Sequence, residues 1–243
     1  ATAEIGVLAA VNRDMTGARP SEAARPLFIR EKLVQNERIT STGGGGGQVL
    51  FLDQTSLTIA PNSEVVLDRY VYDPDTQTGD VAVTVLQGAM RFVGGRISKT
   101  NAATITTPTA TIGIRGGMGN VNVQAGVDTT YIHVAGFSST ITTATDSLTI
   151  TREGGIARIG LDGALEYLGV ATDDLIAGAF RSGAAGQGDG GSSSGGSAGA
   201  VNNAVASVSA EVSGDADIVS QAAISTIGER QSTGFSELSI DVD

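Results

Sequence analysis

Residues 107–117 read Thr107-Pro108-Thr109-Ala110-Thr111-Ile112-Gly113-Ile114-Arg115-Gly116-Gly117, a β-branched run that ends in an arginine and two glycines. Runs of this kind dominate the chain after Thr100, and Gly, Asn or Asp separates most of them. They lie at Thr104–Thr107, Thr109–Ile114, Asn120–Gln124, Thr129–Val134, Ser138–Thr142, Ser147–Thr151 and Ile156–Ile159. Several short strands at regular spacing predict a sandwich, a barrel or a β-solenoid.

The amino-acid composition also favours a thin β architecture. Of the 243 residues only 4% are aromatic, tryptophan is absent and glycine occurs 34 times. Large aromatic side chains usually supply much of a globular core, so this core must be built from Val, Ile, Leu, Ala and Thr. We therefore expect an all-β fold and favour a solenoid or flattened β-roll. The chain has no strict repeat period, so a two-sheet sandwich stays open.

Five ordered motifs resemble those of the FecR-domain family of exported bacterial proteins. The 107–117 stretch is similar to the family signature Thr-Pro-x-Ala-x-Ile-Gly-Ile-Arg-Gly-Thr, although Gly117 stands in place of the last threonine. The other four are Asn36-Glu37-Arg38-Ile39-Thr40, Asp53-Gln54-Thr55-Ser56-Leu57, Pro61-Asn62-Ser63-Glu64-Val65 and Arg91-Phe92-Val93-Gly94-Gly95. The resemblance covers roughly residues 5–160. It implies an exported, non-catalytic, all-β module.

A FecR regulator resembles this chain only through that domain. Such a regulator would also carry a cytoplasmic anti-sigma region and a membrane helix, and neither is found in these 243 residues. No segment approaches the roughly 18 apolar residues that a spanning helix requires, so we expect no membrane span and no transmembrane signalling. The chain starts Ala1-Thr2-Ala3, as after a signal-peptidase cut. This start predicts export, either to the periplasm or to the cell surface and extracellular space.

The charge balance narrows the class of partner. The formal net charge is −11, and nucleic-acid binding needs clustered Lys and Arg, so we expect no nucleic-acid partner. The chain has no cysteine, which excludes disulfides and thiolate metal sites. After Arg181 the only basic residue is Arg230, against eight carboxylates. This acidic end is either a solvated tail or a surface for a basic patch or divalent cations.

The chain divides into four predicted regions. They are a β domain over 1–170 with an N-terminal strand at 4–11 and a core at 48–160, a short helix within 171–182, a Gly/Ser-rich linker over 183–199, and an acidic C-terminal segment over 200–243. Thr172 can cap the helix, and the following aspartates suit its N-terminal dipole. The linker composition is typical of a flexible connector.

The sequence offers little catalytic chemistry. His133 is the only histidine, and we expect a half-exposed strand residue that shares a face with Tyr131 rather than part of a Ser-His-Asp site. The glycine-rich stretches lack the Walker lysine and hydroxyl. Leu161-Asp162-Gly163 and Gly188-Asp189-Gly190 are only faintly similar to calcium β-roll turns. We therefore predict no enzyme and no cofactor, and we give Ca²⁺ little weight.

Five motif residues are candidates for turns and corners. Asp53, Asn62 and Ser63 are expected to lock turns by hydrogen-bonding to nearby backbone. Arg115 and Gly116 are expected to form a corner, with the guanidinium held by a carboxylate or by turn carbonyls. The alternative for Arg115 is a contact with a ligand or partner.

Two functions of different classes follow from these observations. We favour an exported structural protein that self-assembles, through strand addition or stacking, into a surface filament or extracellular matrix. Its partner would be itself, and its candidate assembly residues are Val205, Val208, Phe235, Leu238 and Ile240. The alternative is a soluble periplasmic or extracellular binding module that recognises a ligand, a glycan or an envelope protein.

Overall fold

The computed structural model describes residues 4–12, 14–172 and 175–176, and within them the chain is all-β, as predicted. The elements are β1 (Glu4–Asn12), β2 (Met15–Ala18), β3 (Arg25–Pro26), β4 (Lys32–Val34), β5 (Glu37–Ser41), β6 (Gly46–Phe51), β7 (Ser56–Ile59), β8 (Glu64–Asp73), β9 (Thr78–Val93), α1 (Arg96–Thr100), β10 (Ala103–Thr106), β11 (Thr111–Gln124), β12 (Asp128–Thr142), β13 (Ser147–Ile150), β14 (Gly155–Gly160) and β15 (Leu165–Val170). No helix in these ranges is long and apolar enough to cross a membrane.

Three long strands change neighbours halfway along their length. The first half of β9 lies between β8 and β10, and its second half lies between β7 and β11. Strand β11 pairs first with β10 and then with β9, and it pairs with β12 throughout. Strand β12 pairs with β14 in its first half and with β13 in its second. Each of the three strands therefore takes part in two branches of the sheet.

The fifteen described strands belong to one sheet with two branches that share β9, β11 and β12. One branch runs β3-β2-β5-β8-β9-β10-β11-β12-β13, and the other runs β4-β1-β6-β7-β9-β11-β12-β14-β15. Ile105 and Ile141 of the first branch and Phe92 and Tyr131 of the second belong to one apolar core. Only the β9–β10 pair is parallel among the described strands. This topology fits the sandwich alternative, and the favoured solenoid, which would stack parallel coils, is not confirmed.

The bends of the three strands fall at glycines. Gly88 in β9 has a φ of +81°, Gly116 in β11 has +50° and Gly136 in β12 has +124°, a region that residues with a side chain rarely adopt. A Cβ on Gly136 would also clash with the backbone of Gly116 and Gly117. The separate strands predicted at 109–114 and 120–124, and at 129–134 and 138–142, are therefore wrong. Each pair forms one continuous strand bent at glycine.

Alternating side chains set which face of each strand is buried. In β9, Val81, Val83 and Val85 are buried, and the residues between them are partly exposed. This is the period-two pattern of a strand with one face on a core. Each such Val or Ile contributes roughly 1.5–3 kcal/mol when fully buried. Small β-branched side chains thus stabilise the sandwich, as the composition predicts.

The predicted C-terminal elements lie mostly outside the described residues. Of the helix expected within 171–182, Leu175 and Ile176 are helical, and the amide of Leu175 donates to Thr172 Oγ1 at 3.3 Å. Leu175 and Ile176 pack against Ile132 and Ile156, in a small cluster apart from the main core. The linker, the acidic segment and the assembly residues Val205, Val208, Phe235, Leu238 and Ile240 lie outside the described ranges.

Candidate interaction surface

Asp53 lies in the turn between β6 and β7, and its side chain is completely buried. Its carboxylate accepts hydrogen bonds from Thr55 N at 3.1 Å, Thr55 Oγ1 at 2.7 Å and Ile97 N at 3.1 Å. The Tyr70 hydroxyl lies 3.3 Å from the same carboxylate. Burial, and then the charge of Asp53, raise the pKa of Tyr70, so its hydroxyl stays protonated as a donor. Because Ile97 lies in the first turn of α1, its hydrogen bond to Asp53 means that Asp53 also caps and positions the helix.

Asn62 and Ser63 form the turn that covers the bend of β9. The Ser63 hydroxyl is buried, accepts a hydrogen bond from Ala89 N at 3.0 Å and donates to Ala89 O at 3.1 Å. Asn62 has a φ of +54°, and its Oδ1 accepts a hydrogen bond from Gly43 N at 3.0 Å. A Cβ on Gly88 would lie 2.5 Å from the Cα of Ser63. The turn therefore packs directly on the bare backbone of the bend.

The bend shared by β11 and β12 is open to solvent. Phe137 is 70% exposed, and its ring lies beside Gly116, where a Cβ would be 2.6 Å from Cδ2. Arg115 is exposed and faces Ser138 in the β11–β12 register. In the part of the chain that the structure describes, its guanidinium makes no hydrogen bond or ion pair. The expected carboxylate or carbonyl partners of Arg115 are therefore not seen among the described residues.

Helix α1 lies alongside the same bend. Gly94 N, just before the helix, donates to Gly117 O at 2.8 Å, and Ala103, just after it, pairs with Ile114. The connection through α1 thus spans the bent part of β11. A helix of five residues shows no periodicity, so it could not be predicted from the sequence.

Four exposed basic residues lie on the elements next to this bend. Arg96 and Lys99 are exposed on α1, Arg115 is exposed on β11, and Arg152 is exposed just after β13. Glu153 is the exposed carboxylate beside them. The bend therefore carries local positive charge on a protein whose net charge is −11.

An exposed leucine lies in the turn that is hydrogen-bonded to the start of α1. Leu52 is 67% exposed, and the carbonyl of its neighbour Asp53 accepts a hydrogen bond from Arg96 N at 2.9 Å. Leu52 and Phe137 are the two most exposed large apolar residues among those described. We call this set the bend surface, and it consists of Leu52, Arg96, Lys99, Arg115, Phe137 and Arg152.

His133 is fully buried, so the expectation of a half-exposed strand histidine is wrong. Its Nδ1 lies 2.8 Å from Ser139 Oγ, which in turn lies 2.5 Å from the Tyr131 hydroxyl. Burial lowers the pKa of His133, against smaller opposing effects of the Gly136 backbone and of Glu153, so the imidazole is neutral at pH 7. Ser139 is buried as well. This Ser–His pair cannot reach a substrate, and it joins the two arms of β12 across their bend.

An ion pair that the sequence does not predict joins Arg25 to the buried Glu37. Glu37 is completely buried, and its Oε1 lies 2.7 Å from Arg25 Nη1 while its Oε2 accepts a hydrogen bond from Val34 N at 3.0 Å. Burial acts to lower the pKa of Arg25, but the hydrogen bond and charge of Glu37 outweigh it and raise that pKa. The position of Glu37 within the 36–40 motif was the available signal. The pair fixes the β4–β5 connection to β3.

The described residues contain no group of three or more His, Cys, Asp or Glu side chains arranged to hold a metal ion. In the turn at 161–163, Asp162 Oδ1 accepts a hydrogen bond from Ala164 N at 3.1 Å, and Gly163 has a φ of +81°. The second turn considered for calcium, at 188–190, lies outside the described residues.

The fold and the signature stretch define an all-β domain with a glycine-bent hairpin. Residues 37–136 match the family model described as FecR protein, in agreement with the resemblance seen in the sequence motifs. Two crystal structures of a candidate anti-sigma factor from Parabacteroides distasonis ATCC 8503 are also similar. They have TM-scores of 0.47 and 0.45 and identities of 15% and 14%, and the match covers 58% of this chain and 63% and 62% of theirs.

The match thus spans less than two thirds of the length of those anti-sigma chains. No curated protein matches this chain.

Proposed function

We propose that this protein is a non-enzymatic interaction module of the bacterial envelope that presents its bend surface to an envelope protein. The observation that carries the proposal is the open bend at the end of the FecR signature stretch. There Arg115 and Phe137 are exposed, whereas Asp53 and Ser63 in the other motifs are buried and hydrogen-bonded internally. Exposed aromatic and arginine side chains on a rigid scaffold are typical of binding sites.

The buried state of the Ser–His pair supports a function without catalysis. Ser139 and His133 are both inaccessible, and a catalytic nucleophile and base must lie within reach of a substrate. The FecR resemblance likewise implies export, and we propose the periplasm or the cell surface as the place where the module acts.

Self-assembly into a filament, the function favoured from the sequence, has less support. Its candidate segment, 200–243, lies outside the described residues, and no comparison reports a filament subunit. The binding module that the sequence left as the alternative agrees better with the FecR family match.

Photo-crosslinking in the producing cells tests the proposal. We would replace Phe137 with p-benzoyl-phenylalanine, irradiate, and identify the product by mass spectrometry. Val127 is 57% exposed in the turn at the far end of the β11–β12 hairpin and serves as the matched control position. We expect a product with one envelope protein from position 137 and none from position 127.

Two results would count against the interaction module. A product that contains only copies of this chain would favour self-assembly instead. The absence of any product specific to position 137 would mean that the bend surface contacts no partner in the cell.

A further inference from the structure

We infer that the bend surface binds a short acidic peptide segment in which carboxylates flank an apolar side chain. The inference rests on the proposed function and adds the chemistry of the partner. It follows from three observations: the members of the surface lie on neighbouring elements, its basic residues have no acidic partner among the described residues, and the protein as a whole is acidic.

Backbone contacts place the members of the surface next to one another. The turn that carries Leu52 is bonded to the start of α1 through Arg96 N and Asp53 O at 2.9 Å. The residue before α1 is bonded to the β11 bend through Gly94 N and Gly117 O at 2.8 Å.

The bend surface continues from β11 to β12 and then to the loop after β13. Gly117 faces Gly136 in register, next to Phe137. Ser139, two residues further along β12, faces Ile150 at the end of β13. The bend surface therefore ends in the exposed loop that carries Arg152.

The basic residues of the bend surface have no acidic partner among the described residues, which is also true of the exposed Arg30 elsewhere in the protein. Four other arginines form ion pairs within the protein, namely Arg25 with Glu37, Arg38 with Glu64, Arg69 with Asp80 and Arg158 with Asp128. In the described part, Arg96, Lys99, Arg115 and Arg152 form none. Guanidinium groups bind carboxylates in a bidentate manner, so this surface has charge available for an external carboxylate.

The apolar members of the bend surface indicate that the partner carries an apolar side chain as well as negative charge. Phe137 at 70% and Leu52 at 67% exposure would gain from burial roughly 25 cal/mol per Å² of apolar area. An exposed aromatic beside arginines is a common centre of binding energy. A purely acidic ligand would leave both side chains in water, so the fitting ligand has an apolar side chain among its carboxylates.

The net charge of the protein favours a short segment over an extended polyanion. Charges are screened beyond about 8 Å at physiological ionic strength, so a short peptide on the bend senses mainly the local basic residues. A nucleic acid or an anionic membrane extends over more of a protein whose net charge is −11, and it is repelled. A peptide segment of an envelope protein is therefore the occupant that we propose.

Peptide selection tests this inference without knowledge of the natural partner. We would select a phage library of random 12-residue peptides on the full chain, with the Arg115→Glu variant as the counter-selection target. We expect the enriched peptides to have an excess of Asp and Glu and at least one large apolar residue. Enriched peptides without an acidic excess, or peptides that bind the variant equally well, would overturn the inference.

Fluorescence anisotropy with the most enriched peptide then locates its site. We expect Arg115→Glu to weaken binding at least about tenfold and Phe137→Ala about fivefold. Two matched controls are Arg30→Glu, which makes the same charge change at an exposed arginine outside the surface, and Val127→Ala. If the control variants lose as much peptide affinity as the surface variants, the peptide responds only to the overall charge of the protein. If the protein binds phosphatidylglycerol vesicles as tightly as it binds the peptide, a lipid surface is the favoured partner.

The two proposals can fail separately. If crosslinking at position 137 still yields an envelope protein while no acidic peptide is enriched, the interaction module stands and the acidic partner is wrong. If neither experiment yields a specific product, both proposals are wrong.

Discussion

At Gly88 strand β9 bends beneath a turn that covers it, whereas at Gly116 and Gly136 strands β11 and β12 bend with an exposed ring beside them. The first bend is closed by Ser63, whose hydroxyl bonds both backbone groups of Ala89. At the second, Phe137 is 70% exposed. Both bends use glycines with positive φ, so the difference lies in what packs against them.

We propose that the closed bend serves the fold and that the open bend is available for a partner. At the closed bend, polar groups are satisfied within the protein, as buried groups must be. At the open bend, the guanidinium of Arg115 and the ring of Phe137 meet solvent, and their exposure contributes little to stability. Substitutions at matched positions can therefore test the assignment of the two bends.

The largest expected effect is at the closed bend. Gly88→Ala would place a Cβ against the backbone of Asn62 and Ser63, which cannot move without breaking the turn. Added to the cost of a positive φ, this should destabilise the fold by about 3 kcal/mol or more. Gly116→Ala meets only the exposed ring of Phe137, so its cost should be about 1–2 kcal/mol from φ alone.

Urea unfolding followed by circular dichroism measures both glycine variants. The comparison between the bends would break down if Gly116→Ala were as destabilising as Gly88→Ala. The double variant Gly116→Ala with Phe137→Ala shows whether the ring contributes to the smaller cost.

A smaller but clear effect is expected at the turn that positions α1. Asp53→Asn replaces one acceptor oxygen by a donor, so Thr55 or Ile97 loses its partner in a buried site. Leaving such a group unsatisfied costs about 1–3 kcal/mol. Asp73→Asn is the matched control, because Asp73 makes a similar turn with Thr76 in an exposed position. Equal urea midpoints for the two variants would show that Asp53 does not hold the turn.

The buried network of β12 gives a pH-dependent effect of intermediate size. The pKa of His133 is lowered by burial below its ordinary value of 6.5, so the unfolded chain binds this proton more readily than the folded one. Stability is therefore complete above about pH 7 and falls as the pH drops through 6.5 towards the folded pKa. We expect the urea midpoint to decrease between pH 7.5 and pH 5.5.

The variant His133→Gln should lose most of that pH dependence. Carboxylates stay largely ionised over this range, so they contribute little to the change. A midpoint that decreases equally in the variant would assign the pH dependence to other groups.

The all-β class and the inward faces of the strands could be predicted from the sequence, because β-branched alternation is visible without a structure. The bends could not, since a glycine that separates two strands and one that bends a single strand look alike in sequence. The face of β12 was also ambiguous: Tyr131 and His133 do share a face, but the rest of the fold decides that this face is the core. Helix α1 is too short to show a period, so the basic surface that it forms with Arg115 could not be predicted.

The smallest effect on stability is expected where the effect on binding should be largest. Phe137→Ala removes a ring that is 70% exposed, and Arg115→Ala removes a guanidinium without an internal partner among the described residues. Surface substitutions of this kind usually change the free energy of unfolding by no more than about 0.5 kcal/mol. Urea midpoints close to that of the unchanged protein, together with weaker partner binding, would show that Arg115 and Phe137 contribute to binding and not to folding. A loss of stability as large as that of Asp53→Asn would instead mean that Arg115 and Phe137 belong to the scaffold, and that both bends serve the fold alone.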